Sequence, residues 1–513
     1  MTRLARFGLC IVALLCLTVL LWAVGLLAAP QGREVGAVPR YRIAYATYLG
    51  GSAWDQAREV IPYPDGSVLV GAQVCSSDMP TTAGVVQPKY AGDDPALGPG
   101  GVYGGDCYLA RLSPDGAKVL AATYFGGSKQ ERNVYGMALD AEGNVVIATS
   151  TRSPDVPTTP GSFQPKYGGG ASDWMVAKLS GDLKRLLWCT YVGGSGDDAP
   201  RGGLALDAQG NVYVVGGTSS PNFPTTPGAL QPRRNGPQDS AIVKLKPDGS
   251  SAVFSTLLGG SSADPTIVGA RADRAGNVFG GGHTQSADFP VTSGAAQTKL
   301  GGQSDCCIVK VASDGAKLLY ATYLGGRGNE FAEHQLLLAP DGSVLLTGSA
   351  GSPDFPTTPG AFQRTLKGET DGFLTKLSAD GSRFVFSTLF GGSGHDFWLM
   401  PTPDAEGNIF IVGQTGSRDL PVTPDALQRS FGGGENDGAL AVFSSDGAKL
   451  LYCTYLGGSG DDMIRSLALG PKGEVYLVGH TASADFPATA NALQTKFGGG
   501  TGDAFVVKLE PSG

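Results

Sequence analysis

A short block ending in two glycines recurs seven times: YLGG 48–51, YFGG 124–127, YVGG 191–194, LLGG 257–260, YLGG 323–326, LFGG 389–392 and YLGG 455–458. The offsets between copies are 76, then 67, then 66 four times. A fixed period of this size marks an array of similar supersecondary units. In the unit from 194 to 260, GLALD (203–207) and the alternating, β-branched VYVVGGT (212–218) flank a Gly-containing hairpin turn. A longer block follows, then SAIVKLK (240–246), a P-D-G turn (247–249) and SAVFSTLL (251–258). That predicts four antiparallel strands per unit.

The ends of the chain are out of phase with this unit. Residues 41–49, YRIAYATYL, supply only a fourth strand, and the last unit stops after FVVKLEPSG without one. The first segment therefore completes the last blade. Such closure removes the free edges of an open sheet array. The expected fold is all-β: a seven-bladed β-propeller over 41–513, rather than an open solenoid.

The units resemble the bacterial β-propeller repeats known as SBBP. The resemblance rests on DAQGNVYVVG (207–216), DFPTTPGAFQ (354–363) and TYLGGSGDD (454–462), and it covers residues 41–513. It implies a bacterial surface or secreted propeller and no established reaction.

Composition fits this picture. The 513 residues include 79 glycines and 33 prolines, 41% are hydrophobic, and the formal charge is −8. Many tight turns and a large core follow, while a mildly acidic balance disfavours nucleic acid as a partner. Arg3 and Arg6 precede an uncharged run from Phe7 to Ala29. It is long enough to span a bilayer, and the arginines hold its start inside. Residues 1–29 are thus expected to be a signal peptide or signal anchor and 30–40 a short linker. Everything beyond would lie outside the cytoplasm, touching a membrane only through the N-terminal segment.

Six cysteines stand outside this run, too few and too scattered for a disulfide framework. Cys75 and Cys107 fall in one repeat and could pair; Cys306 and Cys307 should face opposite ways. No C-x-x-C occurs and the four histidines are dispersed, against a structural zinc site.

The Gly-Gly loops and the long blocks lie on one face of the expected ring. Each long block contains [DN]-apolar-P-x-T, as in DFPTT 354–358, followed by a Gln five residues after the last Thr. The apolar residue should plug the space between blades. Thr-Pro suggests the N-cap of a helical turn.

Two acidic rows line this face. Four residues after the second glycine stand Asp55, Glu131, Asp198, Asp264, Glu330, Asp396 and Asp462. Five residues before the position usually held by Lys or Arg in the third strand stand Asp106, Asp173, Asp239, Asp305, Asp371, Asp437 and Asp503. Oxygen-rich clusters suit calcium, which makes the first row a weak candidate for metal binding. Equally, a carboxylate repeated in every blade suits a turn that needs backbone N–H acceptors. Departures from symmetry point elsewhere. Blade one carries an insertion with Asp93 and Asp94, and Trp54 and Trp398 flank two Gly-Gly loops. These four are candidates for a binding face, the tryptophans in preference for core plugs. His283 and His480 share a slot three blades apart; His334 and His395 read as solvated loop residues. No catalytic motif is present, and no cofactor is firmly implied. The expected function is that of a monomeric binding or scaffold module at the cell envelope or beyond, with a protein or glycan partner. The alternative is an extracytoplasmic hydrolase or lyase using the central channel.

Overall fold

The computed structural model describes residues 40–92, 104–264, 266–334 and 336–512. The segment 1–39, with the expected signal or anchor, lies outside the described residues, as do Asp93 and Asp94. Among the described residues no helix is long and apolar enough to cross a membrane.

Seven antiparallel sheets follow one another along the chain. Blade three shows the pattern: Asp198–Leu206, Val212–Thr218, Asp239–Leu245 and Ala252–Leu258 pair in that order. Every residue of Val212–Thr218 is buried, because neighbouring blades cover both faces of the sheet. The first hairpin turns where Asp207 accepts the backbone N–H of Gln209 at 3.1 Å and of Asn211 at 2.9 Å. Gly210 takes φ 78° there, in the left-handed region that a side chain resists.

Blade seven is composite. Arg40–Leu49 pairs antiparallel with Asp503–Ser512, with Tyr48 opposite Phe505. The apolar cores lie between blades rather than within them. Trp174, Val176 and Trp188 of blade two meet Val214, Phe223 and Val243 of blade three. Tyr476, Val478 and Val506 of blade seven meet Val68, Val70 and Tyr108 of blade one, which closes the ring.

The residue before Pro in the long blocks is a plug, as expected: Met79, Val156, Phe223, Phe289, Phe355, Leu420 and Phe486 are all buried. The helical turn expected beside it is instead a single hydrogen-bonded turn. In blade three the Ala229 N–H donates to the Thr226 carbonyl at 3.1 Å, and Gly228 at φ 80° ends the turn. Thr226 Oγ1 accepts the Ser255 N–H at 2.9 Å, so the side chain serves the outermost strand rather than a helix N-cap.

The six cysteines among the described residues, Cys75 and Cys107 included, are buried and form no disulfide. Cys306 packs toward blade five and Cys307 toward blade three.

The innermost strand is continuous, with a bulge, except in blades two and five. In blade two it is reduced to Gly136–Leu139 plus a bridge between Glu131 and Thr151. In blade five it splits into Glu330–Phe331 and Leu337–Leu338, with His334 between them at φ 81°.

Candidate functional site

The two acidic rows and the Gly-Gly loops form one repeated hydrogen-bond unit. The second glycine of every loop donates its N–H to the first-row acid, at 2.6–2.9 Å. Hydroxyls of Ser76, Thr151, Ser220, Ser286, Ser417 and Ser483 reach the acids of six blades at 2.6–2.8 Å, and Ser352 serves Glu330. The second row is locked from the other side. Asp239 accepts the N–H of Asn235 at 2.8 Å and of Gly236 at 3.0 Å, plus the Gln231 amide. Gln231 Oε1 in turn accepts the Gly259 N–H at 3.0 Å.

The glycines are required by space. A Cβ on Gly193 would overlap the Asp173 carboxylate and lie 2.9 Å from Asp198 Oδ2. On Gly194 it would lie 2.7 Å from Asn222 Oδ1 and 2.8 Å from the Ser220 Cβ. The first glycine thus fits between the two rows, and the second fits against the long block.

All fourteen row carboxylates are buried. Burial raises Asp55 and Asp462 to about 6 and Glu131, Asp173 and Asp503 to about 7. Among the described residues no group of three or more His, Cys, Asp or Glu stands in metal-holding geometry. Calcium takes six to eight oxygens, whereas each first-row carboxylate is engaged by a backbone N–H and neighbouring hydroxyls.

The tryptophans do not stand on the surface. Trp398 is fully buried, its Nε1 donating to the Phe390 carbonyl at 2.8 Å, and Trp54 is 5% exposed with its ring 6.3 Å from His480.

Symmetry breaks most strongly in the central channel. Three residues after each first-row acid stand, in blades one to seven, Arg58, Val134, Arg201, Ile267, Glu333, Leu399 and Arg465. Arg58 Nη2 donates to Glu333 Oε1 at 2.6 Å, and Arg465 Nη1 lies 3.7 Å from Glu333 Oε2. The Arg58 guanidinium also sits 4.9 Å from the centre of the Tyr135 ring. Blades one and five are not neighbours, so the ion pair crosses the channel. The split inner strand of blade five makes this crossing possible by leaving the sheet between Phe331 and Leu337. His334, expected in solvent, is fully buried there. Its backbone lies against Gly202 of blade three, whose φ of 60° and lack of a side chain admit it. His395 is exposed, as expected.

Toward the Gly-Gly face stand Gln56 and His480, 2.7 Å apart, and Phe331, whose ring centre is 4.6 Å from His283 and 5.8 Å from Phe397. Burial holds His283 down to about 4 and His480 to about 3, and His334 lies well below the ordinary range. Burial alone would raise Glu333, but Arg58 and Arg465 keep it below the usual carboxylate range. The channel thus combines fixed charges with neutral imidazoles.

Reading the sequence by first-row acid alone misses this cluster. Its signal was the third residue beyond that acid, where an apolar type alternates with Arg or Glu.

No protein-family model and no curated protein matches the chain. The SBBP likeness therefore stays a resemblance carried by the motifs. Solved structures with a similar course include a protein of unknown function from Dyadobacter fermentans (10% identity, 93% of this chain and 100% of that one, TM-score 0.41). BamB from Moraxella catarrhalis aligns at 11% identity over 92% of this chain and 99% of that one, with TM-score 0.40. The quinohemoprotein alcohol dehydrogenase ADHIIG from Pseudomonas putida HK5 aligns at 12% identity over 93% and 77%, with TM-score 0.40. Likenesses of this degree carry no statement about function; the seven-bladed, all-β architecture stands on the strand order itself.

Proposed function

We propose that this chain is an exported β-propeller acting as a binding or scaffold module at the cell envelope or outside the cell. The observation that carries this reading is the engagement of the loop-face carboxylates in holding loops. Fourteen buried acids fix seven loops in one repeated geometry, which makes that face a stiff platform. Loops on a rigid scaffold are favoured sites for contact. Export is supported by the uncharged run 7–29 behind Arg3 and Arg6, which either tethers the ring or is removed. The partner is a protein or a glycan.

The test is photo-crosslinking in intact cells. A crosslinking amino acid at Ser195, Ser261 or Ser459 of the Gly-Gly face should give a discrete adduct. The same residue at Asp248 on the opposite face should not. No adduct from either face, or retention of the chain in the cytoplasm, would sink the proposal.

The alternative, an extracytoplasmic hydrolase or lyase, draws support from the asymmetric Arg58, Glu333 and Arg465 cluster. It is weakened by the strong hold on Glu333 and by neutral histidines. Turnover of a glycosidic, ester or uronate substrate that vanishes in Glu333→Gln would establish it instead.

A further inference from the structure

The same register of the inner strands that supplies the crossing ion pair supplies more positive than negative charge. Arg58, Arg201 and Arg465 share that register with one acid, Glu333, which pairs with Arg58 and Arg465. One residue further along, Glu59 lies within electrostatic reach of Arg271, so that couple adds no net charge. Arg201 makes no ion pair or hydrogen bond among the described residues, and it is only half-buried. The imidazoles nearby add no charge of their own, being held neutral by burial.

The surroundings of Arg201 are specific. Its charge acts on His283 of blade four, which touches Phe331 of blade five. Phe331 is 37% exposed although its neighbours Phe397 and His283 are buried, so one face of its ring is open. A buried polar atom against that ring lacks a partner as well: His283 Nδ1. Gly202, next to Arg201, lies against His334, so the guanidinium, the open ring of Phe331 and the unmatched His283 nitrogen come together on the Gly-Gly side of the channel.

We propose that the Gly-Gly side of the central channel binds a small organic anion. Its carboxylate or phosphate meets Arg201, and its apolar body lies on Phe331. Guanidinium binds either anion through paired N–H donors. The apolar wall separates such a ligand from an inorganic ion. This inference names a ligand for the channel and does not depend on a partner at the loop face.

Thermal melting of the full chain tests it, with benzoate, phenyl phosphate, acetate, inorganic phosphate and benzyl alcohol compared with chloride at matched ionic strength. Binding to the folded state raises the melting temperature. Benzoate or phenyl phosphate should give a saturable rise in the millimolar range. Acetate and inorganic phosphate should be at least several-fold weaker, and benzyl alcohol should give none. Arg201→Gln should abolish the rise while melting as the parent does without ligand, and Phe331→Ala should weaken it several-fold. If Arg201→Gln does not fold, Arg201→Lys replaces it, with an expected several-fold loss of affinity. No rise beyond chloride, an equal rise with benzyl alcohol, or full affinity in the Arg201 variant would overturn the proposal. Crosslinking at the loop face is untouched by any of these results, so the two readings fail separately.

Discussion

Arg58 of blade one and Glu333 of blade five pair at 2.6 Å across the centre of the ring, with two blades between them on one side and three on the other. Removing one partner leaves the other charge buried, at about 3–5 kcal/mol. Glu333→Ala should therefore lower stability to urea by about that much. The double change Arg58→Met, Glu333→Leu should cost less than either single change. Equal or additive losses would show that the pair is solvated rather than buried.

The Gly-Gly loops allow a test of space against backbone. Gly193→Ala should cost about 1–3 kcal/mol or more, because the methyl group enters the carboxylate of Asp173. Asp173→Ala in the same chain should recover part of that. Gly228→Ala meets open space at φ 80° and should cost about 1–2 kcal/mol through backbone strain alone. Recovery by Asp173→Ala in the Gly228 variant would contradict this distinction.

Stability should depend on pH in a definite direction. Glu131, Asp173 and Asp503 ionise at ordinary carboxyl values when unfolded and at about 7 when buried in the ring. Between those values the folded state holds more protons, so stability is lost as pH rises from about 4 to about 7. Glu333 and Asp140, the latter lowered to about 2, act oppositely, and their contribution is lost as pH falls through the acid range. The urea midpoint should be higher near pH 5 than near pH 7.5. Asp173→Asn with Asp503→Asn should flatten that slope; an unchanged slope would place the effect elsewhere.

Calcium up to millimolar concentration should leave the melting temperature of the ring unchanged. To hold it, Asp198 would have to release the Gly194 N–H and the hydroxyls of Thr218 and Ser220. A saturable calcium-dependent rise would reinstate the first acidic row as a metal site.

The architecture was legible because the repeat is strict. Seven Gly-Gly blocks and a first segment lacking partners of its own dictate a ring closed by residues 41–49. The paired aspartates of GGSGDD also sort themselves by comparison between blades. Asp198 belongs to the seven-membered row, while Asp197 varies and stays toward solvent. What stayed hidden depended on contact across the ring. Nothing near Glu333 in the chain announces Arg58, which lies 275 residues away. His334 reads as a loop residue because its segment does leave the sheet, but it leaves inward. Trp54 and Trp398 read as rim or, in preference, as plugs, and both are buried; aromatic character alone does not tell which way a strand faces.

Removing residues 41–49 should strip the outer partner from Asp503–Ser512 and expose its edge. The expected result is a lower melting temperature together with concentration-dependent association through that edge. A monomer with the parent's melting profile would refute the closure.

The composite seventh blade also orders events in time. Arg42 meets Glu510, 468 residues further along, and Ala46 meets Thr489 across 443. Contacts of such separation form late, because the loop entropy must be overcome before they exist. The first strand of the ring, Arg40–Leu49, is therefore the last of its strands to gain a partner. Until then both ends of the array are open edges, and a chain stopped short of 503 keeps them. Closure of the ring and protection from aggregation are therefore a single step.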